Sequence, residues 1–108
     1  MVMEQGTTPQ VFTLIVEVGR CVGDGLPEGA TGAALLCHAA AQDEAEAVRE
    51  TVALLRNAGL APLEVQGLGT AAERTAAGTP PDAAERALMD RALAENAVVV
   101  AQVTPFHD

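Results

Sequence analysis

The softer potential metal ligands of this chain are Cys21, Cys37, His38, His107 and Asp108, and four such groups suffice for a tetrahedral zinc ion. Their spacing does not suit one. The sequence has no CxxC pair and no HxxxH pair, and Cys37 and His38 are neighbours in an apolar run. Read as a strand, that run sends successive side chains to opposite faces. One of the two then enters the core while the other faces the open side. Neither a metal nor a cofactor is expected.

A nucleophilic cysteine is the next chemistry to weigh. A thiolate needs a nearby cation, a histidine or a helix N-terminus to lower its pKa. Cys21 follows Arg20 in the glycine-dense stretch Gly19–Gly32, which gives it one adjacent cation and no base fixed by sequence. The same stretch spells GxxxGxG through Gly19, Gly23 and Gly25, as in the opening of phosphate-binding loops. No GK[ST] follows, Pro27 and Glu28 intervene, and the next element reads as a strand, so a phosphate would lack helix-end amides. Asp24 and Glu28 would also repel it. The loop therefore reads as a hairpin connection. The candidate binding residues are Cys21, Asp24 and His38, placed in a pocket between this loop and the sheet face near His38.

Acidic pairs need no catalytic role. Asp43, Glu44, Glu46 and Glu50, like Asp82 and Glu85, fall at helix starts, where capping and the helix dipole favour acids.

These residues are positioned by a readable set of elements. Val11–Val18 alternates, with Phe12, Leu14, Val16 and Val18 on a core face and Val11, Thr13, Ile15 and Glu17 on a mixed one. Ala33–Ala40 is short and follows glycine, and reads as a second strand. Asp43 with Glu46 forms a capping-box signature for a helix, whose stripe is Ala45, Val48, Val52 and Leu55, ended by Gly59. Pro62–Leu68 is the third strand. Residues 69–79 are weakly patterned and fit a loop, an edge strand or a helical turn. A second helix starts at Thr79-Pro80, with Ala84, Leu88 and Ala92 inward, and Ala97–Val103 reads as a buried last strand stopped by Pro105.

Composition bounds the rest. The net charge is −9, from fifteen carboxylates against six cations, all of them arginine. That balance excludes nucleic acid and anionic membrane surfaces as partners and otherwise serves solubility. With no Trp or Tyr and only Phe12 and Phe106 aromatic, the core must be built from Val, Leu and Ala. Such a core buries less apolar area per ordered residue, a shortage that self-association would relieve. The Arg-only, Ala-rich usage matches the compositional bias of a GC-rich bacterial genome. Residues 1–10 lack an apolar signal region and no run spans a bilayer, so cytoplasmic residence is the expectation.

The reading is one α+β domain over 11–104, with a flexible N-terminal arm at 1–10 and a short tail at 105–108. Its expected form is a ferredoxin-like two-layer sandwich, about four mainly antiparallel strands with two helices on one face. The run from Asp43 to Val65 is similar in rhythm to small bacterial ferredoxin-like domains. The expected role is that of a non-catalytic binding or accessory domain acting as a homodimer, with a further protein or a small metabolite as its other possible partner. The alternative is a small-molecule-binding or enzymatic dimer.

Overall fold

In the computed structural model, which describes residues 8–107, four strands form one antiparallel sheet in the order β3-β1-β2-β4. The strands are β1 (Gln10–Gly19), β2 (Gly32–Ala41), β3 (Ala61–Gly69) and β4 (Val98–Phe106); the helices are α1 (Glu44–Asn57), α2 (Ala71–Ala76) and α3 (Ala83–Glu95). The chain is a small α+β domain with a four-stranded antiparallel sheet and three helices. β1 and β2 pair as the central hairpin, and the β2–α1–β3 unit places two parallel strands on either side of β1.

The alternation in β1 lands as expected. Phe12, Leu14, Val16 and Val18 are buried together with Ala33, Leu35, Cys37 and Ala39 of β2. Each large side chain of this set contributes about 1.5–3 kcal/mol by leaving water. Helix α1 closes that face. Asp43 caps it by accepting from the Glu46 amide at 2.8 Å, and Glu46 in turn accepts from Gln42. Its buried stripe is Ala47, Thr51 and Leu55, rotated from the expected one. Ala45 is exposed, and Val48 and Val52 sit on the flanks. Gly59 takes the left-handed conformation foreseen for it, at φ 87°.

Three expectations fail and one open reading closes, each for a physical reason. The first is the layering. The second helical region lies on the other face of the sheet, the one carrying Thr13 and His38, because Arg74 of α2 and Glu85 of α3 reach those residues; α1 and α3 do not touch. A two-layer sandwich with two helices on one face therefore does not form. Helix α1 packs on one face of the sheet and α2 and α3 on the other.

The second is the open reading, that of residues 69–79, which take the helical-turn alternative. Thr70 and Glu73 make a reciprocal capping box and start the short helix α2. The third is the next helix start, capped by Asp82 and not by Thr79. Two prolines in succession deny the chain two amide donors, and Asp82 supplies the first cap beyond them. Its inward residues are Met89 and Ala92, with Leu88 half-buried and Ala84 exposed.

The fourth is the last strand, which is an edge strand, half-exposed, and runs through Pro105 to Phe106. An edge position tolerates the missing proline N–H, so Pro105 does not end the strand, and Pro105 and Phe106 of the expected tail are sheet. Gln10 already belongs to β1 and Thr8 and Pro9 lead into it; residues 1–7 of the expected arm lie outside the described residues, as does Asp108. Among the described residues no helix is long and apolar enough to cross a membrane.

Candidate functional site

Thr13 and His38 are cross-strand partners on the central pair, on the face opposite the α1 core. Both are fully buried. Thr13 Oγ1 lies 3.1 Å from His38 Nδ1. Two helical side chains close over them. Arg74 Nη1 is 3.4 Å from Thr13 Oγ1, and Arg74 also donates to both carboxylate oxygens of Glu85, at 2.9 and 3.2 Å. Glu85 Oε2 lies 3.7 Å from His38 Nε2, completing a ring of four residues from β1, β2, α2 and α3.

The direction of the protons follows from donor chemistry. A guanidinium has no acceptor, so Thr13 accepts from Arg74; the Glu85 carboxylate facing Nε2 favours the imidazole proton there, which leaves Nδ1 to accept from the Thr13 hydroxyl. His38 then carries its proton on Nε2, turned toward the Glu85 carboxylate but beyond hydrogen-bond reach. Among the described residues His38 Nε2 and Arg74 Nε are buried without a hydrogen-bond partner. Burial holds the His38 pKa below its ordinary value; Glu85 pulls it up and Arg74 pushes it down. The Arg74 hydrogen bonds hold Glu85 below the ordinary carboxylate range, with burial opposing them. The ring thus holds a neutral imidazole beside a paired guanidinium and carboxylate.

Hydroxyl, imidazole and carboxylate stand here in the order that activates a nucleophile in acyl-transfer enzymes. The surroundings do not let it act as one. Thr13 has no exposed surface, so no substrate carbonyl can approach its oxygen. A cation donating to that oxygen also lowers its electron density. The arrangement instead ties α2 and α3 to the central strands.

The structure separates the residues expected to form a pocket. Cys21 and Asp24 belong to the loop after β1, where the Cys21 amide donates to Asp24 at 2.9 Å. Asp24 also accepts from the Leu26 amide and from Arg20 Nε, and Arg20 reaches the Ala30 carbonyl. These bonds, that to Arg20 foremost, bring the Asp24 pKa down to about 2. Its role is to fold the loop. His38 sits six residues along β2 from Gly32, roughly 20 Å from the loop at about 3.3 Å per residue. The loop and His38 therefore share no pocket, because the hairpin register puts them at opposite ends. Cys21 is exposed. Cys37 is buried on the α1 side, away from His38, and desolvation pushes its thiol up to about 11.

Sequence reasoning missed Thr13, Arg74 and Glu85. Glu85 passed for a helix-start acid and Arg74 fell in the unpatterned stretch. The signal that pointed to them was an uncompensated polar pair, Thr13 and His38, at inward-capable positions of two central strands. A cleft of about 330 Å³ opens nearby, floored by Val11, Met89 and Leu93 with Arg86 and Asp90 among its walls.

The family model described as "Domain of unknown function (DUF8846)" matches residues 11–107. The chain belongs to that family. No curated protein and no solved structure matches it. The DUF8846 match runs from the start of β1 past the end of β4. It takes in all four residues of the polar ring, the loop and both edge strands.

Proposed function

We propose that this DUF8846 domain is a non-catalytic binding or accessory domain that works as a homodimer. The observation that carries the reading is the sealed polar ring: the one hydroxyl–imidazole–carboxylate arrangement among the described residues has its hydroxyl fully buried and already engaged by Arg74. What the domain offers outward is surface. The uncovered half of the Thr13 face presents Ile15, Ala34 and Leu36 half-buried, and three of its large exposed hydrophobics lie on β4.

The net charge of −9 supports partners other than nucleic acid or anionic lipid. Two cysteines that stand apart as free thiols support cytoplasmic residence. The single split unit β2–α1–β3 supports placing the fold near the ferredoxin-like ones, with a second covered face added.

Activated esters and acyl-phosphonate probes test the non-catalytic reading. No covalent mass gain at Thr13 or His38 is expected, and a stoichiometric adduct on either overturns it. A second reading, small-molecule binding, is favoured by the cleft beside α3. A metabolite-panel thermal shift that Met89→Trp abolishes would establish it.

A further inference from the structure

β3 and β4 are the two edges of the sheet, and an edge strand carries a row of backbone donors and acceptors open to another strand. The two edges are protected very differently. β3 holds Pro62 and Glu64, and its pairing with β1 shifts register twice. Charge, proline and irregularity are the devices that discourage a further strand. β4 has no charged residue between Val98 and Phe106, and its one proline comes at the penultimate position. Among the described residues no strand pairs with its outer side.

The side chains along that edge select what can join it. Val100 lies opposite Cys37 and Val103 opposite Leu35, so both stand on the α1 face. A register irregularity between Leu36 and Cys37 lets residues three apart share that side. Val100 and Val103 remain 39% and 46% exposed. At the Val98 end of this row a cleft of about 470 Å³ opens between the strand and α1. Glu46, Glu50 and Leu54, at successive helical steps of four, form its α1 wall, and among the described residues no cation lines it. Glu46 spends one oxygen on the Gln42 amide. Among the described residues Glu50 makes no ion pair, whereas Glu95, just before the strand, is already paired with Arg91.

An open backbone edge, an exposed apolar pair and an uncompensated carboxylate thus share one side of the molecule. We propose that this side takes an extended segment of a basic partner protein, added to the sheet as a fifth strand beside β4. In strand addition the main chain gives affinity and alternate side chains give specificity. The alternate positions here are apolar over Val100 and Val103, then lysine or arginine at the cleft, where the cation meets Glu50. Nucleic acid and anionic lipid are repelled by the same carboxylates. A second copy brings them nothing: its β4 carries no cation and its β3 carries Glu64. The inference rests on the binding-domain reading above and is independent of the homodimer.

The probe is a fluorescein-labelled peptide, Lys-Thr-Val-Thr-Val-Thr-Lys, whose valines and lysines share one face of a strand. Its counterpart carries glutamate in place of lysine. Fluorescence anisotropy with the full chain is expected to show the lysine peptide binding at least about tenfold tighter than the glutamate one. Hydrogen exchange of 98–106 is expected to slow when it binds. Glu50→Lys, at an exposed helix position, is expected to weaken the lysine peptide about tenfold with an unchanged far-UV circular dichroism spectrum. No binding, equal binding of the two peptides, full affinity in the variant, or β4 exchange that the bound peptide leaves unchanged overturns the proposal. So does slowing of 98–106 by protein concentration alone, which gives the edge to a second copy. Each of these outcomes leaves the non-catalytic reading standing, whereas an adduct on Thr13 or His38 removes that reading whatever the peptides do. Should the variant lose its fold, the two peptides on the wild type decide.

Discussion

Thr13 and His38 face each other across the central strand pair with Thr13 Oγ1 3.1 Å from His38 Nδ1, and neither has any exposed surface. A polar pair so buried is costly unless it is hydrogen-bonded. Arg74 donates to Thr13 and brings Glu85 to His38. The short helix α2 and the start of α3 are thereby fastened to the sheet face that carries Thr13 and His38.

Removing the link without changing its shape measures that fastening. Thr13→Val leaves His38 Nδ1 and an Arg74 donor buried without partners, and a loss of about 1–3 kcal/mol in denaturant unfolding is expected. Thr13→Ser keeps the hydroxyl and retains most of that stability. Equal losses in the two variants would contradict a hydrogen-bonding role.

The ring also sets an acid sensitivity. Burial keeps His38 below its ordinary 6.5, so below that pH the unfolded chain takes up a proton that the folded chain resists. Its stability is full above about 6.5 and falls as the pH drops toward the folded value. Glu85 is held below its ordinary 4.5 by Arg74; its contribution is present above 4.5 and lost as pH falls through the folded value. The two slopes share a sign, and that of His38 begins at the higher pH. Thermal melts should show Tm falling from about pH 7 to about pH 5.5, and His38→Gln should flatten that upper window while leaving the lower one. A wild-type Tm that holds level or rises on acidification over that upper window contradicts the geometry.

The two thiols should separate cleanly. Cys21 is exposed and Cys37 is buried with its thiol pushed up to about 11. A disulfide reagent at neutral pH should titrate one thiol in the native protein and the second only in guanidinium. Two fast thiols would mean that the β2 core opens readily.

Asp24 should govern the loop and nothing beyond it. Asp24→Asn weakens the acceptor shared by the Cys21 and Leu26 amides and by Arg20, so hydrogen exchange in Gly19–Gly32 should quicken while β2 beyond Ala33 stays protected. Faster exchange at His38 would tie the loop to the polar ring, against the separation described here.

The strands and helices of the first half were legible because local chemistry and tertiary packing agree there: period-two apolar residues in β1, the Asp43 cap and the Gly59 stop each have one reading. The second half was not. Two helices and a sheet do not reveal from apolar stripes alone which face each helix covers, and what sends α2 and α3 to the Thr13 face is a polar contact. Arg74 and Glu85 look like ordinary surface charges until the register sets Thr13 opposite His38. Ala97–Val103 reads as a buried strand from β-branching alone; only the strand order makes it an edge. His38 was recognisable as unusual, but its partners lie 25, 36 and 47 residues away in sequence.

The proposed role is that of a domain that acts through its surface as a pair of copies. Sedimentation equilibrium of the unmodified chain over a range of concentrations tests this most directly. The expected result is a species of twice the 11.0 kDa chain mass, dissociating on dilution; a single 11.0 kDa species at every concentration would contradict it.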